Sequence, residues 1–195
     1  MSAAPTRRLF FALWPDAAQR AALVHAAGKT VRRCGGRPVP ETNLHVTLAF
    51  LGSVPEPRLE ELRAIARRIA ARFPREAVPL ALSLEALEHW AKPQVLTVLE
   101  RKAEAHAAPA SGAAKLAQLL TTETAAAGFS PDLKPFRPHV TVARKVPRAP
   151  GPSAMRRVPW SFGAFALVES RTLAEWPLYS VLESYVLDGA EKVAT

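Results

Sequence analysis

The chain of 195 residues carries 26 Lys and Arg against 17 Asp and Glu, a formal net charge of +9. That length buries a sizeable core without disulfides or a structural metal, and the single Cys34 allows neither an intramolecular disulfide nor a thiolate zinc site, which points to a reducing cytoplasm. No apolar run approaches membrane-spanning length, and the apolar stretch before Pro15 is too short for a signal peptide, so neither spanning nor secretion is expected.

In chain order, Arg7–Trp14 (RRLFFALW) is apolar and aromatic and reads as a buried strand ending at Pro15. Asp16 caps a helix that the Gly35-Gly36 pair ends. Leu44–Leu51 (LHVTLAFL) is a strand expected to stop at Gly52, and Pro55 and Pro57 open a second helix. There Leu59, Leu62, Ile65, Ala66, Ile69 and Phe73 recur at helical spacing, with Glu60, Glu61, Arg63, Arg67 and Arg68 facing out. Leu80–Trp90 and Val95–Glu100 form a hairpin around the turn Ala91–Gln94.

Pro109–Ala127, with Leu116, Leu119 and Leu120 among alanines, reads as a third helix stopped by Gly128. A strand follows at His139–Lys145, and Val146–Pro159, rich in proline and arginine, reads as a basic loop. Trp160–Arg171 and Leu178–Leu187 are the last strands. Without regular βαβ alternation or a Gly-rich turn, the class expected is α+β with antiparallel sheets.

One internal repeat carries the chemistry. His45-Val46-Thr47-Leu48-Ala49 recurs 94 residues later as His139-Val140-Thr141-Val142-Ala143. A period of two sets His45 and Thr47 on one face of their strand, and likewise His139 and Thr141. Two such strands facing across a pseudo-twofold axis bring two imidazoles and two hydroxyls to one point. Cleaving a phosphodiester needs a base for the attacking oxygen and an acid for the leaving oxygen. Two imidazoles divide those roles near neutral pH, and two hydroxyls hold the non-bridging oxygens without charge. Packing alone gives no reason to repeat the same polar residues in two apolar strands.

These two H-x-T-x motifs, with NLHVTLAFLG and RPHVTVAR around them, resemble the 2H phosphoesterase superfamily, in its RNA 2′,3′-cyclic phosphodiesterase branch, historically the 2′-5′ RNA ligases. The similarity extends from RLFFALWP through the Trp90 hairpin to FALVESRT and Tyr179. It implies two pseudo-symmetric α+β lobes around a central cleft, each an antiparallel sheet with helices packed outside and one motif in each, within a single domain over 1–195. It further implies opening of a 2′,3′-cyclic phosphate to a 2′-phosphate with no metal and no cofactor. By the same resemblance His45 is the proton donor and His139 the acceptor, Thr47 and Thr141 bind phosphate, and Phe50 and Arg144 hold the nucleobase. Strict alternation sets Phe50 and Arg144 on the face opposite their histidines, and a bend at the strand end would reconcile this.

The remaining candidates weigh less. His25 and His106 read as surface histidines, His89 as a strand residue with little claim on substrate, and Cys34 as an inert helix end. Two histidines without a nearby carboxylate make a poor zinc site. The 26 cations comprise 19 Arg and 7 Lys, and Arg suits phosphate and base recognition. The basic loop with Arg148, Arg156 and Arg157 reads as solvated. The expected partner is RNA or an oligonucleotide with a 2′,3′-cyclic phosphate end, with no membrane and no obligate protein partner. Two alternatives stay open: an RNA-end-binding module without turnover, and ligation of 2′,5′-linked ends in the reverse direction.

Overall fold

A computed structural model describes residues 4–73, 79–100, 111–151, 155–171 and 176–187. Strand β1 (Thr6–Leu13) leads into helix α1 (Ala17–Arg33), the two-residue strand β2 (Arg37–Pro38), a 3₁₀ turn at Glu41–Asn43 and strand β3 (Val46–Pro55). A second 3₁₀ turn precedes helix α2 (Leu59–Arg72), followed by β4 (Leu80–Leu84), β5 (Ala86–Trp90) and β6 (Val95–Leu99). Helix α3 (Gly112–Ala126), β7 (His139–Arg144), β8 (Val158–Phe162), β9 (Ala164–Arg171) and β10 (Leu178–Val186) complete the chain order.

The strands form two four-stranded sheets, β10-β9-β1-β3 and β2-β7-β6-β5, and a two-stranded ribbon of β4 and β8. Every pairing is antiparallel, so the α+β expectation holds. The two repeated motifs fall in different sheets, one at β3 and one on β7, and the two strands approach each other.

The central strand β1 explains its unbroken apolar run, because both of its faces are covered. Leu9, Phe11 and Leu13 enter the main core, which takes residues from both four-stranded sheets. Phe10 and Ala12 point the other way, into a small cluster with Ala166, Val168, Phe50 and Tyr179. Helix α1 starts on a reciprocal cap: Gln19 N–H donates to Asp16 Oδ1 at 2.7 Å and Asp16 N–H to Gln19 Oε1 at 3.0 Å. It ends at Cys34, whose buried thiol donates to the Val31 carbonyl at 3.1 Å, and Gly35 then takes φ +67°. Helix α2 buries Leu62, Ile65, Ala66 and Ile69 at the spacing read from sequence, each large aliphatic contributing ~1.5–3 kcal/mol.

Four boundaries differ from expectation. Strand β3 runs through Gly52, at φ +67°, to Pro55 instead of stopping there, because a glycine in the left-handed region makes a bulge without breaking the ladder. The single strand expected over 80–90 divides at Glu85, since β4 pairs with β8 while β5 pairs with β6. The strand expected over 160–171 changes sheet at Gly163 for the same reason. The loop expected over 146–159 is shorter at both ends: Val146 is fully buried and Val158 and Pro159 belong to β8. Arg148, Arg156 and Arg157 are exposed, as read, while residues 152–154 and His106 lie outside the described residues.

Candidate active site

The strands β3 and β7 wall a cleft of about 480 Å³ lined by His45, Thr47, His139 and Thr141 together with Phe50 and Arg144. All six residues selected from the sequence therefore meet in one place. The local shape of the two motifs is also the same. Val46, Leu48 and Ala49 are buried while Thr47 and Phe50 are open; on β7, Val140, Val142 and Ala143 are buried while Thr141 and Arg144 are open.

Two adjacent buried residues in each strand mean that alternation slips by one. The pairing register shifts between Phe11↔Ala49 and Ala12↔Thr47, leaving Leu48 as the extra residue, and between Leu96↔Ala143 and Thr97↔Thr141, leaving Val142. A bulge of one residue turns everything beyond it to the other face. That is what returns Phe50 and Arg144 to the face of their histidines, within the strand and not at its end.

Each imidazole is oriented by the backbone two residues upstream. His45 Nδ1 lies 2.7 Å from the Asn43 carbonyl and His139 Nδ1 lies 2.8 Å from the Arg137 carbonyl. A carbonyl only accepts, so Nδ1 carries the proton in both rings, leaving Nε2 as the working nitrogen. At His45, Nε2 is 3.2 Å from Thr47 Oγ1.

Behind each imidazole lies a tryptophan, and over each tryptophan an arginine. Trp14 stacks on His45 at 5.5 Å between ring centroids, with the Arg20 guanidinium 5.2 Å from Trp14. Trp90 lies 4.4 Å from His139, with Arg137 5.6 Å from Trp90. Phe10 at 5.0 Å and the edge-on Tyr179 at 5.1 Å complete the wall around His45.

The two halves differ in charge. Arg137 forks onto the Glu88 carboxylate, Nη1 donating to Oε1 at 2.7 Å and Nη2 pairing with Oε2, and the Trp90 indole N–H donates to the same Oε1 at 2.8 Å. Arg20 makes only a long bond, Nε to the Leu44 carbonyl at 3.4 Å, and its Nη2 is buried with no hydrogen-bond partner among the described residues. A cation bonded to no described carboxylate therefore sits behind His45, and a paired one behind His139.

Both imidazoles protonate less readily than in water. Burial pushes His45 down to about 4, against the pull of the Asn43 carbonyl and with help from a protonated His139 and the charges of Arg144 and Arg20. His139 is lowered too, first by burial and then by the Arg137 charge, with the Arg137 carbonyl opposing. The cleft as a whole is cationic: Arg8, Arg37, Arg144 and Lys145 line it, and among the described residues no carboxylate does. An anion is the natural occupant of such a space.

A model of LigT-like phosphoesterases matches residues 13–93. The RNA 2′,3′-cyclic phosphodiesterase of Thermus thermophilus is 36% identical over 185 residues, covering 93% of this chain and 91% of its own length. The chain belongs to the LigT-like phosphoesterase family. The Escherichia coli RNA 2′,3′-cyclic phosphodiesterase is 33% identical over 143 residues, covering 73% of this chain and 74% of its own length. Among solved structures, E. coli LigT complexed with 3′-AMP superposes with a TM-score of 0.80 at 28% identity, covering 94% of this LigT-like chain and 99% of that one. A Thermus thermophilus structure gives 0.72 at 32% identity, covering 94% and 100%. Both likenesses span the two sheets of this LigT-like phosphoesterase, so the fold is that of the family.

Several residues in and behind the cleft of the LigT-like chain escaped the sequence reading. Asn43 and Arg137 orient the histidines through main-chain carbonyls, which leave no signature in residue type. Arg20 and Trp14 meet only through the turn of α1 against the end of β1. Arg37 sits on a strand of two residues, too short to be read. Among the lesser histidines, His25 is exposed, and His89 donates from Nε2 to the Val146 carbonyl at 3.0 Å, a structural role.

Proposed function

We propose that this protein hydrolyses the 2′,3′-cyclic phosphodiester at an RNA end to a 2′-phosphomonoester, using its two histidines as acid and base and no metal. The observation that carries the reading is the pair of H-x-T-x strands presenting two Nε2 atoms into one cationic cleft, free of carboxylates among the described residues. The relatives named RNA 2′,3′-cyclic phosphodiesterase, which align over most of the chain, support the same activity. We place the two lobes in one domain and the protein in the cytoplasm, where the lone buried Cys34 stays a thiol.

In this reading His139 Nε2 takes a proton from water as its oxygen bonds to phosphorus. The bond from phosphorus to O3′ breaks, and His45 gives its Nε2 proton to the departing O3′. The products are the 2′-phosphate and a free 3′-hydroxyl, and one proton passes through solvent from His139 back to His45. Thr47 and Thr141 donate their hydroxyls to the non-bridging oxygens, and Phe50 and Arg144 hold the base. The cycle starts with His139 neutral and His45 protonated. The lowered affinity of His139 for protons favours the first, and the second is favoured once a bound phosphate anion attracts a proton to His45, against the burial that chiefly lowers its pKa and the smaller repulsion of the nearby cations. A depressed pKa also makes the imidazolium of His45 a stronger acid toward an alkoxide.

The test is incubation with a short RNA ending in a 2′,3′-cyclic phosphate, with and without EDTA, and mapping of the product phosphate. A 2′-phosphate formed at the same rate in chelator is expected. Retention of the cyclic end would leave only an RNA-end-binding role, and restoration of a chelated, inactive enzyme by one metal would refute the mechanism.

A further inference from the structure

Beyond the two imidazoles, the cleft collects positive charge in a way that folding does not reward. The two-residue strand β2 pairs with the end of β7 so that Arg37 stands directly opposite Arg144. Like charges in that relation destabilise a sheet. Arg37, Arg144 and Lys145 all line the cleft, are exposed, and make no salt bridge or side-chain hydrogen bond among the described residues.

The third of these cations is held in an unfavourable conformation. Lys145 has φ 55°, a left-handed backbone that costs a residue with a Cβ about 1–2 kcal/mol. Its surroundings enforce it. Val146 N–H donates to the Gln94 carbonyl at 2.9 Å, and His89 donates to the Val146 carbonyl at 3.0 Å. Gly36 packs so closely that a Cβ there would lie 2.6 Å from Val146 Cγ2 and 2.7 Å from the Arg144 carbonyl. Repulsion gathered at one end of a cleft is offset when an anion binds there, and a strained backbone held by its surroundings fixes where Lys145 stands.

We propose that Arg37, Arg144 and Lys145 form a second anion subsite, which takes the phosphate on the 5′ side of the terminal nucleotide while the histidine and threonine pairs hold the cyclic phosphate. The proposal rests on the hydrolase reading above and names its substrate class, an oligonucleotide end in preference to a free cyclic nucleoside. Arg144 is three residues beyond Thr141 on β7, roughly 7–10 Å at the rise of a strand, a separation suited to one nucleotide. The planar guanidinium serves both neighbours, its face to the base and its N–H edge to the phosphate.

Three substrates with the same base separate the possibilities: a nucleoside 2′,3′-cyclic phosphate with a 5′-hydroxyl, its 5′-phosphorylated form, and a dinucleotide ending in the cyclic phosphate. The wild type is expected to show kcat/KM about tenfold higher on both phosphorylated substrates. In Arg37→Gln or Lys145→Gln the loss on those two should exceed the loss on the 5′-hydroxyl form by threefold or more, and each variant should flatten the salt dependence by about one unit of log–log slope. Equal rates with and without the 5′-phosphate, or equal losses on all three substrates, would overturn the subsite. A gain on the 5′-monoester alone would overturn the assignment to an oligonucleotide. Equilibrium binding of the corresponding 2′-phosphate products reads the same differences without turnover. Failure of all three to react would thus refute the hydrolase reading while the subsite is still measured.

Discussion

The environment of His45 makes its proton a stability probe. Its ordinary value of 6.5 falls to about 4 in the folded protein, so as pH drops the unfolded chain takes up the proton first. Stability from this group is complete above pH 6.5 and is lost as pH falls from there toward 4, where the folded imidazole protonates as well. Between about pH 7 and pH 4.5 that linkage removes about 2 kcal/mol. Other groups titrate over the same range, but they are shared by a His45→Gln variant, which keeps a polar side chain of similar reach. Urea unfolding of both proteins at the two pH values isolates the contribution: the wild type should lose about 2 kcal/mol more than the variant. Equal losses would show that the imidazole is not desolvated by the Phe10, Trp14 and Tyr179 wall, and would remove the physical basis given for its acidity.

His45→Ala and His139→Ala should each lower turnover by roughly 10²–10⁴, and the double variant should show no multiplied loss, because the groups act as a unit. A nitrophenyl leaving group in place of the 3′-oxygen should partly rescue His45→Ala and not His139→Ala; rescue of the latter would exchange their roles. Glu88→Gln leaves the Arg137 charge uncancelled beside Trp90, so the His139 ring should titrate lower than in the wild type in an NMR titration that also registers an unmoved His45. Gly36→Ala places a methyl against the Arg144 carbonyl and Val146, and thermal unfolding should show a loss of about 1–3 kcal/mol.

The central pair of the site was legible because duplication is a property of residue identity: two histidines and two threonines at the same spacing in apolar strands have no packing rationale. The amphipathic stripe of α2 and the caps of α1 were legible because their causes are local. The bulges at Leu48 and Val142 were not, since both residues are apolar and each bulge exists only through the register of a partner strand. Their absence from the sequence reading is why Phe50 and Arg144 fell on the wrong face. Division of the strands at Glu85 and Gly163 depends likewise on which sheet receives each half, and the Arg37–Arg144 opposition on a pairing between residues 107 positions apart.

The bulge that both motifs share divides the cleft-facing residues of each strand into two sets. Before it stand the imidazole and hydroxyl, the groups to which the proposed mechanism assigns the proton transfers and the phosphate oxygens. After it stands one residue that reaches the same cleft, a phenyl ring in one motif and a guanidinium in the other. A substitution at either sixth position can therefore change what the cleft accepts, while the bulge leaves the imidazole and hydroxyl before it in place.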